Sequence, residues 1–279
     1  MRTLPSPGAN LPEPWNLHHS RRLFDECWGR AAASPSSDPG NERRLAAIVG
    51  MCPLVDSVLD VGCGDGELLR ALAARARRRY GCDTSAVGLQ RLGRDGTVRV
   101  VQAAADRLPF ADRAFELVAC CDVLEHLPEE TVAAALCEIM RVAARYVLLN
   151  VPLNEDLGWS EIRCHCGRLY HRDHHQRSYT AWQVEEMLPA ARFRLLGRCT
   201  TGWTVRRLLR LPRGLGAALS LGHDLAARCD RCGEHPAPLR PAQRLLRDVF
   251  VRCHHALTRP LAGLLSQDSE IVVLFGRRS

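Results

Sequence analysis

The chain of 279 residues carries a formal net charge of +7, and all 38 of its basic residues are arginine. This moderate charge, with aromatic residues at only 5% of the sequence, disfavours a nucleic-acid-binding protein, which needs stacking surfaces as well as positive charge. No apolar run approaches the roughly 20 residues of a membrane span, and the Pro-rich start lacks the apolar segment of a signal peptide. We therefore expect a cytoplasmic protein, whose 13 cysteines are reduced thiols or metal ligands.

Residues 1–40 are interpreted as an N-terminal arm, because Pro, Gly and Ser are frequent there and 33–40 has the composition of a linker. One short helix over 18–30 is expected within the arm. Residues 41–279 are expected to form a single domain. Its first element is an amphipathic helix over 42–51, with Asn41 as the predicted N-cap.

From Ser57 onward, short apolar runs alternate with helical patterns, which favours an α/β fold whose parallel sheet is covered by helices on both faces. Seven strands are predicted, the last of them close to residue 279. The predicted strands are 57–61, 79–82, 98–102, 117–121, 146–151, 193–199 and 271–275, and the predicted helices between them are 67–77, 85–92, 129–143 and 181–188.

The first predicted strand enters its helix through three alternate glycines, in the stretch Leu59-Asp60-Val61-Gly62-Cys63-Gly64-Asp65-Gly66. Glycines at such a turn let the backbone approach a ligand that Cβ atoms would exclude, and the helix N-terminus adds free N–H groups. The spacing differs from the G-x-G-x-x-G of dinucleotide-binding folds, and a carboxylate at Asp60 suits a ligand with an ammonium or hydroxyls better than one with phosphates. The stretch resembles motif I of the class I S-adenosylmethionine (SAM) dependent methyltransferases.

This resemblance implies a seven-stranded Rossmann-like sheet, mostly parallel with an antiparallel last strand, and a SAM site at the carboxyl ends of the strands. Asp83, 23 residues after Asp60, matches the carboxylate that binds the ribose diol. Asp106 matches the acid after the third strand that accepts the adenine amino proton, and 115–127 looks like the motif after the fourth strand. The implied cofactor-binding residues are Asp60, Gly62, Cys63, Gly64, Asp83, Asp106, Arg107 and Asp122.

His126 is the predicted catalytic residue. A histidine beside the methyl-transfer centre could act as a general base, because its ordinary pKa lies near neutral pH. The alternative is a structural or pocket-lining role, since Glu-His-Leu recurs at this position in family members with different acceptors.

A Cys/His-rich insertion, residues 153–180, separates the fifth strand from its helix. Its dense thiols and imidazoles predict a zinc site with Cys164, Cys166, His171 and His175 as ligands, although C-x-C is one residue shorter than the usual C-x₂-C. Either His165 or His174 could therefore displace one cysteine, and an unliganded polar lid is the alternative to a metal. In both cases the insertion is expected to border the acceptor pocket, for which Tyr170, His171, His174 and Arg177 are candidates.

A second insertion, residues 201–268, separates the last two strands and is predicted to form a helical cap. Its basic, Leu-rich segment 203–228 could instead make peripheral contact with an anionic membrane. Cys229 and Cys232 have the C-x₂-C-G form of a zinc knuckle. Their partners could be Cys253 with His254 or His255, or else His223 or His235, and two unliganded thiols remain the alternative.

The sequence thus predicts a SAM-dependent methyltransferase that acts on a hydroxyl or amine of a small-molecule or glycan acceptor. Zinc is a second expected cofactor. One alternative is an RNA or protein methyltransferase with an acidic partner, although nucleic acid is disfavoured. The other is a SAM-fold binding module without catalysis, with the insertions as interaction surfaces.

Overall fold

A computed structural model of the chain describes residues 24–25, 39–92, 96–202, 204–205, 214–222, 227–258 and 266–278. The strands of its main sheet are β1 Val55–Val61, β2 Ala76–Asp83, β3 Val98–Gln102, β4 Phe115–Cys121, β5 Ala143–Pro152, β8 Phe193–Thr201 and β11 Glu270–Arg277. Two short strand pairs consist of β6 Glu161–Arg163 with β7 Leu169–His171, and of β9 Thr204–Val205 with β10 Ser266–Gln267. The helices are α1 Pro39–Met51, α2 Glu67–Ala71, α3 Ala86–Leu92, α4 Glu129–Val142, α5 Ala181–Glu185, α6 Leu215–Ala218 and α7 Pro241–Thr258.

The main sheet has the strand order β3-β2-β1-β4-β5-β11-β8. Strands β1 to β5 pair in parallel, whereas β11 runs antiparallel to both of its neighbours, β5 and β8. The predicted seven-stranded, mostly parallel sheet with an antiparallel last strand is therefore confirmed. Because β1 and β4 are adjacent while their connections leave in opposite directions, their carboxyl ends form the crevice where ligands bind in such sheets.

Two apolar layers cover the sheet, and successive residues of one strand face opposite layers. On β1, Val58 packs with the layer of α1, α2 and α3, whereas Leu59 packs with that of α4 and α5. Both side chains are fully buried. Burial on both faces explains why the central strands β4, β5 and β11 contain near-continuous apolar runs rather than alternating patterns.

The element that departs most from its prediction is the helix expected over 67–77. Helix α2 ends at Ala71, a 3₁₀ turn follows over Leu72–Ala74, and β2 begins at Ala76. The cause is strand pairing. Because β2 pairs with β1 from Val55↔Ala76 onward, arginines that would suit a helix lie in the sheet instead. Helix α1 begins at Pro39 rather than after an Asn41 cap, and the arm helix predicted over 18–30 lies outside the described residues except for Phe24 and Asp25, which are helical.

The two insertions pack directly against each other. The backbone of Gly216 lies so close to Gly158 that an added Cβ would stand 1.7 Å from the Gly158 carbonyl oxygen. Trp159 contacts α7 with its ring 4.6 Å from that of His254. The described part of the late insertion holds α6 and α7 together with β9, β10 and the extended segment around Cys229. That it forms a helical cap stays a prediction.

None of the helices in the described part of the chain is long and apolar enough to span a membrane. Half of the segment proposed for peripheral membrane contact, 203–228, lies outside that part. Only 204–205, 214–222 and 227–228 of it are described.

Replacing Phe193 with alanine is expected to destabilise the fold by about 3–5 kcal/mol, because a large aromatic ring leaves a cavity in a packed core. Phe193 is 1% exposed, and the guanidinium of Arg277 lies 4.7 Å from its ring centre. Leu195 on the same strand is 40% exposed, so Leu195→Ala is the matched control and should cost about 0.5 kcal/mol or less. Urea unfolding measures both changes, and equal losses would contradict this description of the core.

Candidate cofactor and acceptor site

The glycine turn after β1 adopts a backbone conformation that residues with a Cβ atom rarely take. Gly62, Gly64 and Gly66 all have positive φ, at 80°, 51° and 86°. A Cβ on Gly62 would stand 2.2 Å from a methyl group of Val123, so the turn lies tight against the loop after β4. The turn leads straight into α2, which brings backbone N–H groups to the sheet edge.

Asp83 ends β2 and ties this turn to the start of α3. Its carboxylate accepts hydrogen bonds from the backbone N–H groups of Gly64 at 2.8 Å and Ser85 at 2.7 Å. Burial raises the pKa of Asp83, and these N–H donors offset part of that effect. A carboxylate held in this way keeps further lone pairs for a ligand hydroxyl.

Asp60 lies deeper, at the end of β1, and is 3% exposed. Burial raises its pKa to about 7, and the charges of Asp83 and Asp122 act in the same direction. Asp60 is therefore an acid whose ionisation depends on what lies beside it, and a bound cation would favour its charged form.

Asp122 follows β4 with a positive φ of 55°, an unusual backbone for a residue other than glycine. Its carboxylate forms an ion pair with Arg44 of α1, whose guanidinium also reaches the Asn150 side chain at 3.3 Å. Asn150 in turn donates a hydrogen bond to Glu270 at 3.2 Å. This chain of contacts joins α1, β4, β5 and β11 at the floor of the site.

Carboxylates outnumber cationic groups at this edge. Asp60, Asp83, Asp122 and Glu270 interact electrostatically with one another or with Arg44, and burial raises the pKa of Glu270 to about 8. SAM carries a sulfonium and an ammonium, so this group of carboxylates suits it better than a phosphate-bearing ligand. The glycine cradle and the acids together fit the cofactor that the sequence resemblance implies.

The remaining predicted cofactor residues have different environments. Asp106 and Arg107 lie exposed on the loop after β3, where Arg107 donates its backbone N–H to Ala104 at 3.1 Å. Cys63 is buried in the apolar layer beside Gly81, so its side chain packs in the core and only its backbone lies in the glycine turn. Their contact with a cofactor stays a prediction.

Two residues of the arm lie over the same edge. The carboxylate of Asp25 accepts hydrogen bonds from the Ser85 hydroxyl at 2.7 Å and from the backbone N–H of Val87 at 3.1 Å, and so caps the start of α3. The ring of Phe24 meets that of His126 edge-on at 5.6 Å. Part of the arm is therefore a wall of the site.

His126 lies at the predicted place after β4, beside a buried carboxyl group. Burial, with His175 and His174 close by, lowers its pKa to about 3. Neither carboxyl oxygen of the neighbouring Glu125 has a hydrogen-bond partner among the described residues, and burial raises the pKa of this group well above its ordinary range.

A second histidine, His175, has a carboxylate partner. Its Nδ1 lies 2.5 Å from Oε2 of Glu155, and its ring meets that of His126 edge-on at 4.8 Å. The His171 ring stacks on the His175 ring, also with 4.8 Å between the ring centres. Burial raises the pKa of Glu155, but its contacts with His171 and His175 outweigh burial and bring the pKa to about 2.

The insertion that carries these histidines is fastened to the loop after β4. Arg177 donates a hydrogen bond to the carbonyl oxygen of Leu124 at 2.9 Å, and the hydroxyl of Tyr179 donates to the same oxygen at 3.3 Å. The backbone N–H of Gln176 donates to the carbonyl oxygen of Glu125 at 2.7 Å. Of the other pocket candidates, Tyr170 and His174 stack with ring centres 5.9 Å apart.

The four predicted zinc ligands are divided between two groups. Cys164 and Cys166 gather with Cys229 and Cys232, whereas His171 and His175 gather with Glu155. Hairpin geometry explains the split: the cysteines occupy the turn between β6 and β7, and His171 lies at the far end of β7. Cys253 and His255, suggested partners of Cys229 and Cys232, are exposed on α7, and His223 lies outside the described residues.

Sequence reasoning missed Arg44 and Glu155, whose side chains pair with Asp122 and His175. Arg44 belongs to a helix 78 residues before Asp122, and Glu155 belongs to a loop 20 residues before His175. No motif marks either one. The sequence did contain a signal that the two cysteine segments meet. One segment is C-x-C-G and the other C-x₂-C-G, and each carries a glycine directly after its second cysteine.

Residues 58–145 match a family model described as a methyltransferase domain. Among solved structures, the chain is similar to the YcgJ protein of Bacillus subtilis, with 15% identity, a TM-score of 0.52, and coverage of 84% of this chain and 97% of that one. It is also similar to the cyclase SpnF, with 19% identity, a TM-score of 0.51, and coverage of 94% of each chain. The fold is therefore the one seen in these solved structures, and residues 58–145 carry the match to the methyltransferase-domain model.

The chain is also similar in sequence to curated proteins. The chain is 38% identical over 132 residues to a ubiquinone biosynthesis O-methyltransferase of Azoarcus sp. strain BH72, covering 44% of this chain and 56% of that protein. A protein of the same name from Paracidovorax citrulli is 32% identical over 140 residues, covering 46% and 57%. The chain thus spans little more than half the length of these two relatives.

Replacing Asp60 with asparagine is expected to flatten the pH dependence of stability. Between about pH 4 and pH 7 the folded chain keeps a proton on Asp60 that the unfolded chain releases, so the free energy of unfolding falls as pH rises. This one group accounts for a slope of up to about 1.4 kcal/mol per pH unit.

Urea unfolding of the chain without ligand at pH 5, 6 and 7 measures this slope. Asp106→Asn changes an exposed carboxylate at the same sheet edge and should keep the wild-type slope. Identical slopes in the wild type and Asp60→Asn would contradict the assignment.

Proposed function

We propose that the chain is a SAM-dependent O-methyltransferase that acts on an acidic, phenol-type hydroxyl of a small molecule. The observation that carries this proposal is the contact of 2.5 Å between His175 Nδ1 and Glu155 Oε2 beside the cofactor edge. It supplies an oriented base, which a hydroxyl acceptor requires and a passive binding module does not.

The residues that would hold SAM are the glycine turn with Asp60, Asp83 and Asp122, which accords with the family match over 58–145. When bound, SAM supplies an electrophilic methyl group. The protein's own contribution is to hold the acceptor oxygen in line with that methyl group and to exclude water, which is worth several kcal/mol of the barrier.

His175 is well arranged to take the acceptor's proton. Because its Nδ1–H donates to Glu155, the opposite nitrogen, Nε2, is left as the acceptor. Glu155 remains ionised, with its pKa lowered to about 2, and it would stabilise the imidazolium that forms. Tautomer and orientation are thus set by one carboxylate, as in other histidine bases.

His126, the base expected from the sequence, is the weaker candidate. With its pKa lowered to about 3, its imidazole holds a proton poorly at neutral pH. We propose that His126 and Glu125 instead form the wall between the methyl group and the acceptor.

A phenolic hydroxyl has an ordinary pKa near 10, so a histidine can accept its proton during attack. A sugar hydroxyl is a much weaker acid, which makes a glycan acceptor less suitable for this base. The O-methyltransferase names of the curated relatives support a hydroxyl acceptor, whereas an amine or glycan acceptor has no such support. Because a similar fold belongs to a cyclase, the fold alone does not decide the reaction.

The direct test incubates the full chain with methyl-labelled SAM and a panel of mono- and dihydroxybenzenes, anilines and simple glycosides. Formation of a labelled methyl ether with a matching amount of S-adenosylhomocysteine is the expected result for hydroxybenzenes. Transfer confined to anilines or glycosides would contradict the proposed acceptor class. Methyl transfer to RNA or to a protein extract would favour the macromolecular alternative. For RNA, that transfer should fall steeply as salt is added.

His175→Ala is expected to lower kcat by about 10²–10⁴-fold, the usual contribution of a positioned base, and to leave the Kd for SAM nearly unchanged. Glu155→Gln should also lower kcat and leave the Kd for SAM nearly unchanged, because the imidazolium that forms loses its ionised partner.

The control for this pair is His255→Ala, which removes an exposed imidazole from α7 and should keep the wild-type kcat. If His126→Ala abolished turnover while His175→Ala retained it, His126 would be the base and the proposal for His175 would be wrong.

A further inference from the structure

Two cysteine pairs that are 63 or more residues apart in sequence meet outside the cofactor edge. Sγ of Cys164 lies 3.5 Å from Sγ of Cys232, and Sγ of Cys166 lies 3.6 Å from Sγ of Cys229. All four sulfur atoms lie within 4.8 Å of one another. Each insertion contributes one pair.

These distances are those of a metal tetrahedron rather than of disulfides. Four sulfurs at about 2.3 Å from a central zinc are about 3.8 Å apart. A disulfide requires about 2.05 Å between sulfurs, which neither pair approaches.

Each pair lies in a tight turn that is closed by a glycine with positive φ. Gly167 follows Cys166 with φ of 83°, and Gly233 follows Cys232 with φ of 74°. In each turn the backbone N–H of the glycine donates to the carbonyl oxygen of the first cysteine, at 3.0 Å to Cys164 and 2.9 Å to Cys229. A turn closed in this way aims both thiols of a pair at one point.

Neighbouring side chains hold the two turns together. Arg168, next to the first turn, makes a two-pronged contact with Asp230 of the second, with Nε–Oδ1 at 2.9 Å and Nη2–Oδ2 at 2.6 Å. Asp230 is buried, and Ile162, Tyr170 and Ala227 form an apolar cluster with three of the cysteines, Cys164, Cys166 and Cys229. The four thiols are thus arranged by the surrounding structure.

We infer that Cys164, Cys166, Cys229 and Cys232 bind one structural zinc ion that joins the two insertions. Four thiolates select a soft or borderline ion, and a complete set of four protein ligands leaves no open position for chemistry. The site is separate from the Glu155–His175 pair, so its existence does not depend on the proposed methyl transfer.

The zinc clamp has a consequence for the acceptor side. It lies at the turn of the β6–β7 hairpin, and β7 runs from Leu169 to His171, which stacks on His175. The ion would therefore fix the strand that leads into the histidine cluster. This arrangement assigns the late insertion a role in positioning that cluster.

Metal analysis of the purified, untagged full chain is expected to find one zinc per chain. The double variant Cys164→Ser/Cys229→Ser should carry none. The matched control is Cys137→Ser/Cys253→Ser, which changes two exposed cysteines away from the cluster and should keep the full zinc content. Zinc retained by the cluster variant would overturn the assignment, as would iron in place of zinc.

A second measurement needs no cluster variant. Titration of the native protein with excess mercurial thiol reagent, followed with a colorimetric zinc indicator, should release one zinc per chain as the cluster thiols react. Cobalt loaded in its place should give a thiolate charge-transfer band that persists in His171→Ala/His175→Ala. Complete reaction of the thiols with no zinc released, or a band lost in the histidine variant, would overturn the inference, whereas absent methyl transfer would bear only on the proposed function.

Discussion

The ion pair between Arg44 and Asp122 holds together the edge of the sheet on which the site depends. Burying several carboxylates in one crevice is costly unless they are paired or protonated. Here a guanidinium reaches across from the first helix to meet one of them, while burial raises the pKa of Asp60 to about 7 and that of Glu270 to about 8. The crevice is therefore poised for a cation, and a sulfonium is well suited to complete its charge balance.

The insertions complete the other half of the site. The first folds back along the loop after β4 through the contacts of Arg177 and Tyr179 with Leu124, and so brings His175 and Glu155 beside His126. The second packs its backbone on the first at Gly216 and brings a cysteine pair to the hairpin turn. The sheet thus supplies the edge proposed for the cofactor, and the two insertions supply the side proposed for the acceptor.

The sheet and the glycine turn could be predicted from the sequence because both depend on local patterns: apolar runs at regular spacing and positive-φ glycines at Gly62 and Gly64. The helix expected over 67–77 was too long, because pairing of Ala76 with Val55 extends β2. The metal ligands were divided between two groups because spacing along a hairpin does not show which ends meet in space. The pairings of Arg44 and Glu155 are long-range and carry no motif, so no reading of one sequence would find them.

Titration of the folded full chain with SAM tests the central claim most directly, because both the acidic crevice and the proposed base presuppose that cofactor. The account predicts one SAM bound per chain, with the binding lost or strongly weakened in Asp83→Ala, which removes the carboxylate that joins Gly64 to Ser85. A folded chain that binds no SAM, or an Asp83→Ala variant that binds it as tightly as the wild type, would contradict the account.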